Sequence, residues 1–340
     1  MRSFEGYKHG INLGGWFSQC DNTEKRYDNF IKKEDFGRIA RWGLDHVRIP
    51  VDYELILEED LSFKEKGFRR IADCIAWCHE YGLHMILDLH KTVGYSFDKG
   101  EKESGLFEKK EYQDVFCAIW EEFAKRFGKC EGLAFELLNE VSDKSYCETW
   151  NRIIFRTVGV IRKYAPDIKI LVGGYHHNSI AAIKDLDMPY DRNIVYNFHC
   201  YSPLIFTHRG AYWIAQMNRD FRMSFDSNIE DYRRYAAENI GNGHADDLDG
   251  ACGKIDASYF EGLFAEALKI AEERDVPLYC GEYGVIDLAD ARDTLEWYRC
   301  ICSVFDKYGI GRAAWSYKEM DFGLVDAHYD TIRDEIIRIL

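Results

Sequence analysis

Leu133-Ala134-Phe135-Glu136-Leu137-Leu138-Asn139-Glu140 is an apolar run of strand length that ends in an amide and a carboxylic acid. A strand buried on both faces reads as such a run, and burial on both faces is the mark of a parallel sheet covered by helices. Working outward, seven more short apolar runs lie at 10–13, 46–50, 84–89, 168–172, 194–198, 277–280 and 312–315. Helical periodicity fills most of the gaps. The segment 34–42 sets Phe36, Ile39 and Ala40 on one face, and 66–81 sets Ile71, Cys74, Ile75 and Cys78. In 111–127 the stripe is Val115, Ile119, Phe123 and Phe127, and in 150–164 it is Ile153, Ile154, Val158 and Ile161. Alternation of strand and helix predicts a parallel sheet, and eight such units in 340 residues predict a closed (β/α)8 TIM barrel spanning 1–340. The rhythm breaks between about 202 and 258. That stretch is read as an inserted subdomain after the sixth strand, lying over the active-site face, with a polar second half at 241–247.

Composition narrows the partners. The net charge is −15, from 44 basic and 59 acidic residues. An acidic surface argues against nucleic acid and against an anionic membrane. No run of about 18 apolar residues offers a span. Residues 1–8 contain no apolar signal core, so the chain is expected either in the cytoplasm or outside the cell with its signal already cleaved. The 11 cysteines show no disulfide or zinc spacing and are expected to be reduced, with Cys74 and Cys78 as small core residues. A monomer without metal or cofactor is expected. The 22 Tyr, 21 Phe and 8 Trp are numerous enough to leave several rings for a cleft once the core is filled.

In such a barrel the chemistry sits at the C-terminal ends of the strands. Those ends read Arg48, then Asp88-Leu89-His90, Asn139-Glu140, His199-Cys200-Tyr201, Gly281-Glu282 and Ala314-Trp315. Two acids on separate strand ends are what cleavage of a glycosidic bond requires: one protonates the leaving oxygen, and the other attacks the anomeric carbon or activates water. Each residue alone has a plainer reading, as a solvated loop acid, a structural ion pair or a packed ring. Together they agree on one reaction. Gly14-Gly15 lacks the rest of a nucleotide loop, Gly-x-Ser-x-Gly is missing, and the adjacent His176 and His177 form no metal spacing but a loop placed to touch substrate.

The set Arg48, His90, Asn139, Glu140, His199, Tyr201, Glu282 and Trp315 resembles the active-site pattern of glycoside hydrolase family 5, the large cellulase family, over nearly the whole chain. The layout is similar to small clostridial endoglucanases. The resemblance implies a retaining endo-β-1,4-glucanase without cofactor, acting on a β-glucan polysaccharide or oligosaccharide. Glu140 would be the general acid/base and Glu282 the nucleophile. Arg48 and Tyr201 would keep Glu282 ionised, while a nearby Glu282 charge would raise the Glu140 pKa. Asn139 would bind the sugar 2-hydroxyl, His199 would hold Glu140 or the sugar, and His90 would bond a hydroxyl beside the cleaved linkage. Trp315 would be the stacking floor.

Lys91 departs from relatives and is read as a cation offered to substrate. Trp16 and Trp213 are further candidate platforms, and for Trp213 an anchoring role in the insertion is equally open. Glu136 is placed on the strand face opposite to Asn139, as a partner for a buried base. Mannan, xylan, xyloglucan and mixed-linkage or β-1,3-glucan remain alternative substrates for the same machinery. A carbohydrate-binding protein without catalysis is the reading from another class.

Overall fold

The computed structural model describes residues 1–98, 104–241, 248–249 and 251–340. Eight strands form the wall: β1 (His9–Asn12), β2 (His46–Asp52), β3 (His84–Lys91), β4 (Leu133–Glu136), β5 (Lys169–Gly173), β6 (Ile194–His199), β7 (Leu278–Tyr283) and β8 (Gly311–Ala314). Each pairs in parallel with the next, and β8 closes on β1 through His9 with Arg312, Gly10 with Ala313 and Ile11 with Ala314. All eight expected strands are present. β4 stops at Glu136, two residues short of the expected end, and β7 runs through Glu282 to Tyr283.

Helices Lys33–Arg41, Glu65–Tyr81, Lys110–Phe127, Cys147–Ile161, Ala257–Glu273, Ala291–Tyr308 and Arg333–Ile339 follow β1, β2, β3, β4, β6, β7 and β8. After β5 a 3₁₀ segment, Ile180–Asp185, takes that place. Local chemistry sets the helix ends. The Asp290 side chain accepts from the Arg292 and Asp293 N–H groups to start Ala291–Tyr308, and Gly309 ends it in the left-handed region at φ 66°. Between those caps Leu295, Trp297, Ile301, Cys302 and Phe305 turn inward onto the wall. Cys74 and Cys78 are buried as expected, and none of the eleven cysteines forms a disulfide.

The core has two parts. The larger lies between wall and helices. The smaller fills the barrel interior, where Phe4 and Tyr7 of the N-terminal segment pack against inward-facing Ile86, Ala134, Leu171, Val195, Tyr279 and Ala313. Two residues further along β3 and β4, the same face carries Asp88 and Glu136, both fully buried. The apolar filling thus gives way to a polar layer directly beneath the C-terminal mouth.

Between β6 and Ala257–Glu273 the chain forms a short helix Leu204–Thr207 and a longer one, Ile229–Asn239. Ala211 packs with Ile286, Trp315 and Phe322, which ties the start of this stretch to the barrel mouth. The polar residues 242–247 singled out in the sequence lie outside the described residues.

Gly67 sits in the first turn of Glu65–Tyr81, where a Cβ would stand 1.9 Å from the Leu55 carbonyl oxygen. Gly67→Ala, usually favourable within a helix, is expected here to cost about 1–3 kcal/mol. A thermal melt checks this, and an unchanged or raised midpoint would refute the close approach.

Candidate active site

Arg48 stands fully buried at the barrel axis, its guanidinium surrounded by acceptors. Nε donates to Glu136 Oε2 at 2.7 Å and Nη2 to Glu136 Oε1 at 2.8 Å, a bidentate pair. Nη1 donates to Glu282 Oε1 at 2.8 Å and to Asn12 Oδ1 at 2.9 Å. Nη2 also reaches Asn139 Oδ1 at 2.9 Å and Asp88 Oδ2 at 3.0 Å. Burial opposes the cation, but Asp88, Glu136 and Glu282 outweigh it and hold the proton firmly on Arg48. Burial pushes the Asp88 carboxyl up to about 6 against the pull of Arg48, and it raises Glu136 as well. The expectation that Glu136 points away from Asn139 is corrected. Strand alternation lapses after Glu136, so the Glu136 and Asn139 side chains both meet Arg48.

Above this layer the two expected acids converge. One oxygen each of Glu140 and Glu282, together with His199 Nδ1, all lie within 4.8 Å of one another. Glu282 accepts from the Tyr201 hydroxyl at 2.9 Å on the oxygen that Arg48 does not hold. Glu140 sits at φ 40°, a left-handed conformation that non-glycine residues rarely adopt. The Tyr95 hydroxyl supports it by donating to the Glu140 carbonyl at 2.7 Å while accepting the Ser142 N–H at 2.8 Å. His199 Nδ1 meets Glu140 Oε1 at 2.8 Å, and His177 Nδ1 meets Oε2 at 3.0 Å.

These imidazoles overturn the expected pKa of Glu140 in the free protein. Burial raises the carboxyl, yet the bonds from His177 and His199 prevail and hold it well below the ordinary carboxylate range. His199 moves the other way: burial opposes its charge, but Glu282 and Glu140 raise its pKa. Without substrate the proton therefore rests on the imidazole side of the pair.

Among the buried polar atoms without a protein partner are His90 Nε2 and Asn139 Nδ2. His90 Nδ1 is bound to Asp88 Oδ2 at 2.6 Å, and burial followed by the Arg48 charge lowers the ring to about 3. His90 is thus neutral with its proton on Nδ1, which leaves Nε2 as an unused acceptor. Asn139 gives its Oδ1 to Arg48, which leaves Nδ2 as an unused donor. An acceptor and a donor, both buried and both unmatched, suit hydroxyl groups of a substrate.

The aromatic residues divide. Trp315 lies parallel to His90 at 6.0 Å with a rim only 6% exposed. Trp213 is 44% exposed and meets Tyr212 edge-on at 4.8 Å and Phe322 at 6.4 Å. Trp16 is not a platform. It stacks on Phe17 at 3.9 Å, its Nε1 donates to the Tyr27 carbonyl, and it belongs to the core. Lys91 is also corrected: its ammonium forms an ion pair with Glu54 at 2.5 Å and is almost buried. The adjoining Asp52 carboxyl is pushed to about 7 by burial and then by Glu54, against the pull of Lys91.

Sequence reading did not name Tyr95, gave His177 only as part of a loop that touches substrate, and left the basic partner of Glu136 unidentified. Adjacent His176 and His177 on an extended strand would point apart. Instead His176, His177 and Asn178 take φ of 48°, 57° and 54°, a left-handed run that swings His177 onto Glu140.

A barrel with paired carboxylates at its mouth defines a class of sugar-cleaving proteins, and comparison with known proteins gives the family. The family model described as cellulase (glycosyl hydrolase family 5) matches residues 7–321. Cellodextrinase A of Ruminococcus flavefaciens is 44% identical over 313 residues, 92% of this chain and 86% of that protein. Endoglucanase C of Acetivibrio thermocellus is 35% identical over 339 residues, 98% of each. Among solved structures, cellulose synthase subunit Z of Clostridioides difficile superposes with a TM-score of 0.77 at 24% identity over 98% of this chain and 99% of that one. An endoglucanase of Thermotoga maritima does so with a TM-score of 0.77 at 23% identity over 98% and 96%. The chain belongs to glycosyl hydrolase family 5 and is a glycoside hydrolase.

Glu136→Ala removes the bidentate partner of a fully buried cation and is expected to cost about 3–5 kcal/mol. Glu136→Gln keeps an acceptor and should cost clearly less. Denaturation midpoints compare the two, and equal losses would show that the charge of Glu136 does not matter.

Proposed function

We propose that this protein is an endo-β-1,4-glucanase that hydrolyses cellulose-type chains with retention, using Glu282 as nucleophile and Glu140 as acid and then base. One observation carries the reading: two carboxylates approach within 4.8 Å across the mouth with different hydrogen-bond partners, Arg48 and Tyr201 on one, His177 and His199 on the other. Carboxyl groups about 5–5.5 Å apart go with double displacement, whereas inversion needs about 6.5–9.5 Å to admit a water.

Glu282 Oε1 accepts from Arg48 and Oε2 from Tyr201, and an oxygen of this oriented carboxylate attacks the anomeric carbon. The leaving oxygen takes a proton from Glu140, supplied through the hydrogen bond with His199. Formation of the glycosyl ester removes the Glu282 charge. Glu140, now a carboxylate, takes a proton from the incoming water, which attacks the anomeric carbon and releases Glu282. Asn139 Nδ2 faces the 2-hydroxyl and His90 Nε2 accepts from a neighbouring hydroxyl. Trp315, Tyr212 and Trp213 offer rings to the sugar faces. The 44% identity to a cellodextrinase favours short, soluble cello-oligosaccharides among the substrates.

NMR of the first reducing ends released from cellopentaose should show the β-anomer, and the α-anomer appearing first would refute double displacement. Glu140→Ala should lose about 10²–10⁴-fold in turnover on unactivated glucan. Glu282→Ala should lose more, because the covalent route itself disappears. Near-native turnover by either variant would remove that residue from the mechanism.

A further inference from the structure

The Glu140 carboxylate is bracketed by two imidazoles of unlike character. His199 on β6 has a side chain only 2% exposed and holds Oε1. The His177 side chain is 44% exposed and holds Oε2 from the turn after β5. That turn is built to aim it. The His177 N–H donates to the Val141 carbonyl at 3.0 Å, and the buried Asn178 side chain lies 3.4 Å from His199 Nε2. One turn therefore contacts both the acid and the acid's other partner.

A glycosidic oxygen must reach one oxygen of Glu140. The Oε1 side is closed by buried His199, while the Oε2 side opens toward solvent through His177. We propose that His177 is a positioning residue that holds Glu140 Oε2 in the free enzyme and hands it to the leaving-group oxygen when the sugar on that side arrives. The inference rests on the reading of Glu140 as the acid and base.

The other groups facing Glu140 do not duplicate this role. On β6 and just beyond it, His199 holds Oε1, Tyr201 is committed to Glu282, and His208 lies behind Tyr201 with its ring 4.9 Å away. From β7, Glu282 is held by Arg48 of β2, and from β3, Asp88 and His90 are bound to each other. Tyr95 bonds the Glu140 backbone, not its carboxylate. His177 is the partner on the open side.

Its role follows from proton balance. A donor on a carboxylate favours the ionised form, so loss of the donor raises the pKa of the acid. The alkaline limb of the kcat/KM profile reports loss of the catalytic proton from the Glu140–His199 pair and must then move to higher pH. His177 lies at φ 57°, so His177→Gly deletes the side chain without backbone strain. Asn also tolerates this conformation, and its Nδ2 is attached at the same branch point as the imidazole Nδ1.

The experiment compares His177→Gly and His177→Asn with the wild-type enzyme on cellotetraose and on 2,4-dinitrophenyl cellobioside across pH. His177→Gly is expected to move the alkaline limb on cellotetraose upward by about half to one pH unit and to lower kcat/KM by about 10-fold. The loss should shrink on the aryl substrate, whose leaving group needs no proton. His177→Asn should restore both values toward wild type. An unmoved limb, equal losses on both substrates, or Asn behaving like Gly would overturn the proposal. Glu140→Ala separates the two readings: it should lose kcat/KM on cellotetraose and largely keep it on the aryl substrate, whereas equal losses on both would sink the assignment of Glu140 itself, whatever His177 does.

Discussion

One buried guanidinium organises this molecule. Arg48 lies on the barrel axis, where an isolated cation would be far too costly, and it is tolerated because acceptors from four other strands or strand ends close around it. Glu136 supplies a two-point grip, Asn12 and Asp88 complete the ring, and Asn139 and Glu282 are drawn into the same set. The guanidinium is planar and rigid, so it fixes the orientation of everything it touches. Two of those groups belong to the proposed reaction. The structural ion pair and the catalytic arrangement are one network.

That network divides the barrel into floors. Aromatic and aliphatic side chains fill the lower interior, with Phe4 and Tyr7 closing it from below. The Arg48 layer rests on this filling, and the paired acids rest on Arg48. Each floor restrains the next, so Glu140 and Glu282 are held by packed elements and not by loops alone. Their electrostatics diverge because their partners differ. Glu282 meets a permanent cation and a hydroxyl, whereas Glu140 meets two imidazoles that can exchange a proton with it. A group meant to give and take a proton is placed beside imidazoles, which can carry that proton, and a group meant to attack is placed beside a guanidinium and a hydroxyl that donate to it.

Much of this was legible in the residues. Eight apolar runs separated by helical stripes read as a barrel because β-strands buried on both faces carry no polar alternation. Glu140, Glu282, His90, Asn139, His199 and Tyr201 stood out because each closes or follows such a run, and Arg48 because it is a charge inside one; the structure brings all seven to one mouth. Other residues misled. Trp16 follows a strand and so resembled a platform, but its ring is spent on core stacking and its N–H on Tyr27. Lys91 follows His90, yet acids at the end of the neighbouring strand claim it. Strand parity assigned Glu136 to the wrong side, because β4 ends at that very residue.

By itself the sequence determined the barrel, its eight strands and the pair of acids, since these follow from local hydrophobic runs and their spacing. Only the tertiary structure decided who holds whom: that Glu136 grips Arg48, that a left-handed turn carries His177 to Glu140, and that Glu140 is ionised in the free protein. The reason is physical. Strand and helix periodicity is a property of neighbouring residues, whereas the charge state of a buried acid depends on side chains brought within about 3 Å from distant parts of the chain.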